Sequence, residues 1–504
     1  MPTATLGTSD PAPELVRELG LTDATMIVMG SMIGSGIFIT SAESARLIGS
    51  PGWLLVAWLL AGLMTITGCL CCGELAAMMP KAGGQYVFLR EAYGPSFGFL
   101  FGWATFLVVQ TGTIAAVAVA FAKFLGVLAP VVASDNYLIS PHSWGNYAIS
   151  LSTQQLVAIA LIIALTATNT RGLNAGKLIQ NTFTFTKTAA LLGLIVIGLT
   201  IGLNPKAAVW TASWWHPAQN GWDPAKAQPG FRATGGIALA MLLGRAMIGP
   251  LFSQSAWNNV TFTGGEVRNP GRNLPRALII GCGTVVLLYL LANVAYLATL
   301  PLDQIQRAPQ DRVGTAVMHA VFGRAGTIAM AVAILISTFG CVNGLILAGA
   351  RVYYAMARDG LFFDRIGTTN RHHVPAVALV AQCIWACLLA LPVTVTMNHA
   401  TNTRTYGNLY SQLLEYLIAV DLIFYALMVG AVIALRRRIP EAERPYRTFG
   451  YPLPALIYIG LAVLIVLDLI VLAPETSGIG ALIVLAGIPV YFVWSRTGGS
   501  SPAI

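Results

Sequence analysis

Twelve times between residues 24 and 495 this chain runs for about 20 residues with few charges, the length a helix needs to cross the hydrocarbon of a bilayer. The runs fall at 24–48, 53–79, 97–128, 151–168, 175–203, 234–262, 274–300, 325–357, 374–396, 408–435, 453–473 and 477–495. A barrel strand needs only about 9–11 residues, so runs of this length read as helices. The expected class is an all-α membrane protein with twelve transmembrane helices. No polar stretch between the runs is long enough for a soluble domain, so the 504 residues, 56% hydrophobic and 10% charged, read as one membrane domain. The tail 1–23 is polar and has no basic segment leading into a short apolar one, so it reads as a cytoplasmic tail and not as a cleaved signal.

The net charge of +9 does not imply nucleic acid, because the basic residues are scattered over short loops instead of forming one face. With the N-terminus taken as cytoplasmic, seventeen Lys and Arg fall in inside segments and eight in outside segments. That bias favours an inner-membrane protein with both termini cytoplasmic. Lys123, Lys187, Arg245 and Arg351 lie within or at the ends of runs, and the first and last of these are placed to snorkel to an interface. All seven cysteines fall inside apolar runs without metal-ligand spacing, so no metal, cofactor or disulfide framework is expected.

The first run contains GSMIGSGIFIT, Gly30 to Thr40, with three glycines and two serines at bilayer depth. Glycine costs about 1 kcal/mol relative to alanine in a helix, and serine offers competing hydrogen bonds. Two readings fit. Gly30 and Gly34 have the spacing of a close-packed helix face. Alternatively the helix breaks, and the freed N–H groups of Ser35 and Gly36 make a pocket for a carboxylate. The sixth run carries Gly249-Pro250 followed by Phe252, Ser253 and Ser255, and Pro250 predicts a second break. If the first ten runs are two inverted sets of five, the two breaks occupy corresponding positions, which is the pattern of a transporter substrate site. The boundaries are then 24–203 for the first set, 204–233 for an extracellular loop, 234–435 for the second set, and 436–504 for a basic loop, two further helices and a tail.

Lys187 is either a snorkelling lysine or a buried cation holding broken-helix carbonyls where a sodium ion would otherwise sit. Arg245 needs a carboxylate or a vestibule, and Glu74, Glu415 and Asp421 are the acids available to it. Trp257, Asn258, Ser337, Thr338 and Asn343 read by default as interface or packing residues. No nucleophile elbow, paired His and acid, or soluble output domain favours an enzyme or a receptor.

The chain resembles the amino acid-polyamine-organocation superfamily, closest to bacterial relatives of the L-type amino acid transporter light subunits. The resemblance lies in IGSGIF (33–38), GELAAMMPKAGGQYVFLREAYG (73–94), GLNAGKLIQNTFTFTK (172–187), WNNVTFTGGEVRNPGRNLPRAL (257–278), STFGCVNG (337–344) and ERPYRTFGYP (443–452). It implies a five-plus-five inverted repeat with discontinuous helices 1 and 6, and alternating access. The substrate-binding set it implies is Ile33, Gly34, Ser35, Gly36, Phe252, Ser253, Ser255 and Trp257. The gating and coupling set is Lys187, Phe252, Ser337 and Asn343, with Phe252 as outer gate and Lys187 in place of a sodium site. Ser255-Ala256 replaces a Gly-Gly pair of the animal light subunits, which implies a tighter pocket. The segment 129–150 has no cysteine, so no disulfide-linked heavy chain is expected. Arg245 matches no part of the family pattern. The expected activity is sodium-independent transport of L-amino acids, by exchange or proton coupling, with the lipid bilayer as surroundings. A polyamine or cationic amino acid is the alternative substrate, for which Asp421 and Glu415 speak.

Overall fold

The computed structural model describes residues 17–144, 147–171, 173–228, 231, 233–372, 374–398, 403–406, 409–472 and 474–497. The tail before residue 17 and the side chain of Glu415 lie outside what is described. The main helices are α1 (Leu21–Met32), α2 (Gly36–Ile48), α3 (Pro51–Met78), α4 (Pro95–Leu128), α5 (Thr153–Asn169), α6 (Leu173–Leu199) and α7 (Gly235–Ser253). They continue with α8 (Pro270–Thr299), α9 (Val313–Arg358), α10 (Ala376–Leu389), α11 (Leu409–Arg438), α12 (Leu453–Leu472) and α13 (Pro474–Thr497). Among the described residues nine helical stretches are long and apolar enough to cross a membrane, counting α1 and α2 as one. Three shorter apolar helices, Thr153–Asn169, Ala376–Leu389 and Gly480–Trp494, lie where the fourth, ninth and twelfth runs were read.

The helices bury one another's small-residue faces. α8 lies along α3, α1 and α6, while α9 lies against α4 and α6. Because lipid is as apolar as a leucine face, such contacts rest on close packing and polar ties more than on water exclusion. Two of the ionic ties among the described residues engage buried acids, Glu266 and Glu74. Arg351 of α9 grips Glu266 with two bonds of 2.9 and 3.1 Å, both side chains being buried. The Glu266 carbonyl in turn accepts from the N–H groups of Glu18 and Leu19. Glu74 of α3 accepts from Arg436 at 2.8 and 2.7 Å and from the Thr448 N–H at 2.7 Å, which fixes the loop after α11.

Two expectations are corrected. The fold is not purely α: β1 (Tyr137–Trp144), β2 (Tyr147–Ser152), β3 (Pro392–Asn398) and β4 (Thr403–Tyr406) form an antiparallel sheet in that order. The ninth run, read as 374–396, is therefore helical only to Leu389; Pro392 discourages its continuation, and Val-Thr-Val-Thr at 393–396 is wholly β-branched, which favours a strand. The sixth run is interrupted just before Pro250: the helix stops at Ala246 and resumes over Ile248–Ser253, with Met247 between, and the Ala246 carbonyl, for which Pro250 has no N–H, accepts from Ser44 Oγ at 2.7 Å.

Candidate functional site

α1 ends at Met32 and α2 begins at Gly36, with Ile33 extended at φ −75, ψ 92 between them. A helix end leaves its last carbonyls without intrahelical partners. Here side chains from three other helices take five consecutive carbonyls. Lys187 Nζ of α6 donates to the Gly30 carbonyl at 2.5 Å, and Cys341 Sγ of α9 donates to Ser31 at 3.4 Å. Tyr289 Oη of α8 donates to Met32 at 2.9 Å, and Ser337 Oγ of α9 reaches Ile33 and Gly34 at 3.4 and 3.2 Å. Lys187 is 1% exposed, so it does not snorkel, and its charge faces the negative end of α1.

The second interruption lies directly across from the first. Gly36 and Ser253 approach so closely that a Cβ on Gly36 would stand 2.2 Å from Ser253 Oγ; one on Gly249 would stand 2.4 Å from the Thr40 Cβ. Ser253 Oγ donates to the Gly249 carbonyl at 2.7 Å. Past Ser253 the chain turns through Ala256 at φ 64. Tyr425 of α11 holds that turn: its hydroxyl accepts from the Ala256 N–H at 3.3 Å and donates to Asn258 Oδ1 at 2.8 Å. Its ring stacks on Trp257 at 4.9 Å. Asn258 donates onward to Gln85 at 2.7 Å. The Phe252 carbonyl accepts from both the N–H and the hydroxyl of Ser255, so these two residues are bonded to each other here.

Ile33, Gly34, Ser35, Gly36, Phe252, Ser253 and Trp257 are all buried around this crossing, and Lys187 and Ser337 reach it. Asn343 does not. It accepts from Asn169 at 2.8 Å and lines a cavity of about 30 Å³ toward the N-terminus, shared with Asp23, Gln180 and Glu266. A cavity of about 20 Å³ beside the second interruption is lined by Thr65, Gln254, Ser255, Trp257, Asp421 and Tyr458. A third, of about 10 Å³, lies on the far side between Thr40, Glu43, Ser44 and Arg245. Each has room for one or two water molecules.

Arg245 lines that outer cavity, donates to Gln228, and lies beside Asp468 of α12, an acid absent from the set considered from sequence. Glu74 is taken by Arg436, and Asp421 faces the Ser255 cavity instead. Sequence reasoning also missed Tyr289, Tyr425, Gln85 and Cys341. Nothing in the one-dimensional pattern separates a tyrosine that caps a carbonyl from one that only packs.

The sequence model of one family, described as amino acid permease, matches residues 19–494. The chain is 29% identical over 502 residues to the large neutral amino acids transporter small subunit 2 of Homo sapiens, covering 97% of this chain and 84% of that protein. It is 28% identical over 481 residues to the serine/threonine exchanger SteT of Bacillus subtilis, covering 95% of this chain and 97% of the exchanger. It is also 28% identical over 491 residues to the Asc-type amino acid transporter 1 of Homo sapiens, covering 95% and 82%.

Proposed function

The chain belongs to the amino acid permease family, and on that premise we propose that it carries L-amino acids across the cytoplasmic membrane by alternating access, without sodium. The family and its relatives are transporters of amino acids, not enzymes. The observation that carries the reading is the capped row of carbonyls from Gly30 to Gly34. The N–H groups opening α2 at Ser35 and Gly36, at the positive end of that helix, bind the substrate carboxylate. The substrate amino group then meets the carbonyl of Ile33 or Phe252, the latter once Ser255 lets go of it. Phe252 covers the ligand from outside, and Lys187 stands where a sodium ion would otherwise hold the broken helix.

The two interruptions support a five-plus-five inverted arrangement, with 24–203 and 234–435 as its halves and all twelve apolar runs crossing the bilayer. The excess of basic residues in the inside segments favours both termini in the cytoplasm. No disulfide partner is expected at the β1–β2 hairpin, whose sequence has no cysteine.

A second reading has one observation in its favour. Asp421 is 8% exposed, faces the cavity beside Ser255, and pairs with no basic group among the described residues. A carboxyl there is placed to meet a cationic substrate side chain. Uptake of a panel of labelled amino acids into liposomes decides between them. Saturable uptake of neutral amino acids, unchanged when choline replaces sodium, supports the first reading; uptake of lysine, arginine or polyamines alone supports the second. No saturable uptake of any member overturns both.

A further inference from the structure

A groove of about 680 Å³ opens at the start of α8, on the face of the molecule where Val267 pairs with Leu19. One wall is α8 itself, with Arg272, Pro275, Arg276 and Ile279; the other is Pro445 and Tyr446 of the loop after α11. That loop is a fixed wall, because Thr448 and Arg436 are bound to the buried Glu74. It touches α8 where a Cβ on Gly271 would lie 3.2 Å from Pro445.

Arg272 and Arg276 are exposed, one turn apart, and neither pairs with a carboxylate among the described residues. Further along α8 the outer face turns apolar, with Ile279 39%, Ile280 49% and Leu287 57% exposed, and position 283 open. From Arg276 to Leu287 the helix rises about 16 Å, roughly half the hydrocarbon thickness of a bilayer. The two guanidinium groups therefore stand where an acyl-facing surface gives way to the headgroup layer.

We propose that this groove binds an anionic glycerophospholipid, its phosphate held between Arg272 and Arg276 and an acyl chain lying along Ile279, Ile280 and Leu287. Two guanidinium groups without a local acid complement a net negative headgroup. They leave the ammonium of a zwitterionic headgroup unmatched. The apolar stripe separates a lipid from a free phosphate, which would use the arginines but gain nothing from the isoleucines.

Native mass spectrometry of the full chain in detergent, with phosphatidylglycerol or phosphatidylcholine added, tests this. The wild type is expected to retain phosphatidylglycerol over phosphatidylcholine by roughly tenfold or more. Arg272→Gln with Arg276→Gln is expected to lose the preference while its melting temperature without lipid stays near wild type, and glycerol phosphate at the same concentration is expected not to displace the lipid. Equal retention of the two lipids by the wild type overturns the proposal, as does an undiminished preference in the double variant. Displacement by glycerol phosphate overturns it in favour of a soluble anion site. If the double variant does not fold, Arg276→Gln alone is measured, with the same outcomes deciding.

Discussion

Lys187 donates to the carbonyl of Gly30 at 2.5 Å across the contact between α6 and α1, from a position 1% exposed. No room is left for slack: a Cβ on Gly30 would stand 2.1 Å from Gln180 Nε2 and 2.5 Å from Thr184 Oγ1. The ammonium thus fixes the end of α1 at the point where the backbone leaves the helix.

Lys187→Ala is expected to cut initial uptake by at least about tenfold, since a hydrogen bond from a charged group is worth about 1.5–3 kcal/mol. Initial rates in proteoliposomes check this at matched protein density. Full activity removes Lys187 from the transport cycle.

Gly36→Ala places a methyl group against Ser253, with 2.9 Å to its backbone Cα, which side-chain rotation cannot relieve. Overpacking of this kind costs about 1–3 kcal/mol. The expected result is a lower melting temperature together with weakened uptake, and Ser253→Ala restores only part of either.

Tyr425→Phe keeps the stack on Trp257 but removes the hydroxyl that serves Ala256 and Asn258. A buried donor left unsatisfied costs about 1–3 kcal/mol. Because the bond holds the second interruption, the loss is expected as a raised KM for uptake with expression unchanged.

Asp421→Asn keeps the shape of the Ser255 cavity and removes its acid. Neutral amino acid uptake is expected to stay within about twofold, whereas any uptake of cationic substrates falls by tenfold or more, since pairing with a desolvated charge exceeds about 1.4 kcal/mol. Competition between labelled alanine and unlabelled lysine reads both at once.

Glu266→Gln leaves Arg351 buried with half its partner, and breaking a buried pair costs about 3–5 kcal/mol. Both side chains are under 5% exposed, so little solvent screening is available. A marked drop in melting temperature is expected, and Arg351→Met with Glu266→Leu recovers most of it.

Much of the architecture was legible because hydrocarbon imposes a simple rule on the chain: long apolar runs must be helices, and glycine or serine inside them marks places where a helix can stop. That rule located Gly34 and Ser35 and flagged Lys187 as out of place. It failed at Pro392–Asn398, where apolar content alone does not distinguish a strand beyond the helix from its last turn. At Pro250 it placed the interruption within a few residues, because the missing N–H is felt at the preceding turn, where the helix stops at Ala246 and resumes at Ile248.

By itself the sequence determined that this is a multi-pass membrane chain with a weakened first helix and an intramembrane lysine, since run length and residue chemistry are one-dimensional properties. Only the tertiary structure decided which groups meet. It assigned Lys187 to Gly30, Tyr289 to Met32 and Ser337 to Ile33 and Gly34, and it set Arg245 beside Asp468, 223 positions further along the chain, instead of Asp421. Such pairings depend on how α1, α6, α8, α9 and α12 lie against one another, because an orphaned carbonyl takes whichever donor packing brings within about 3 Å.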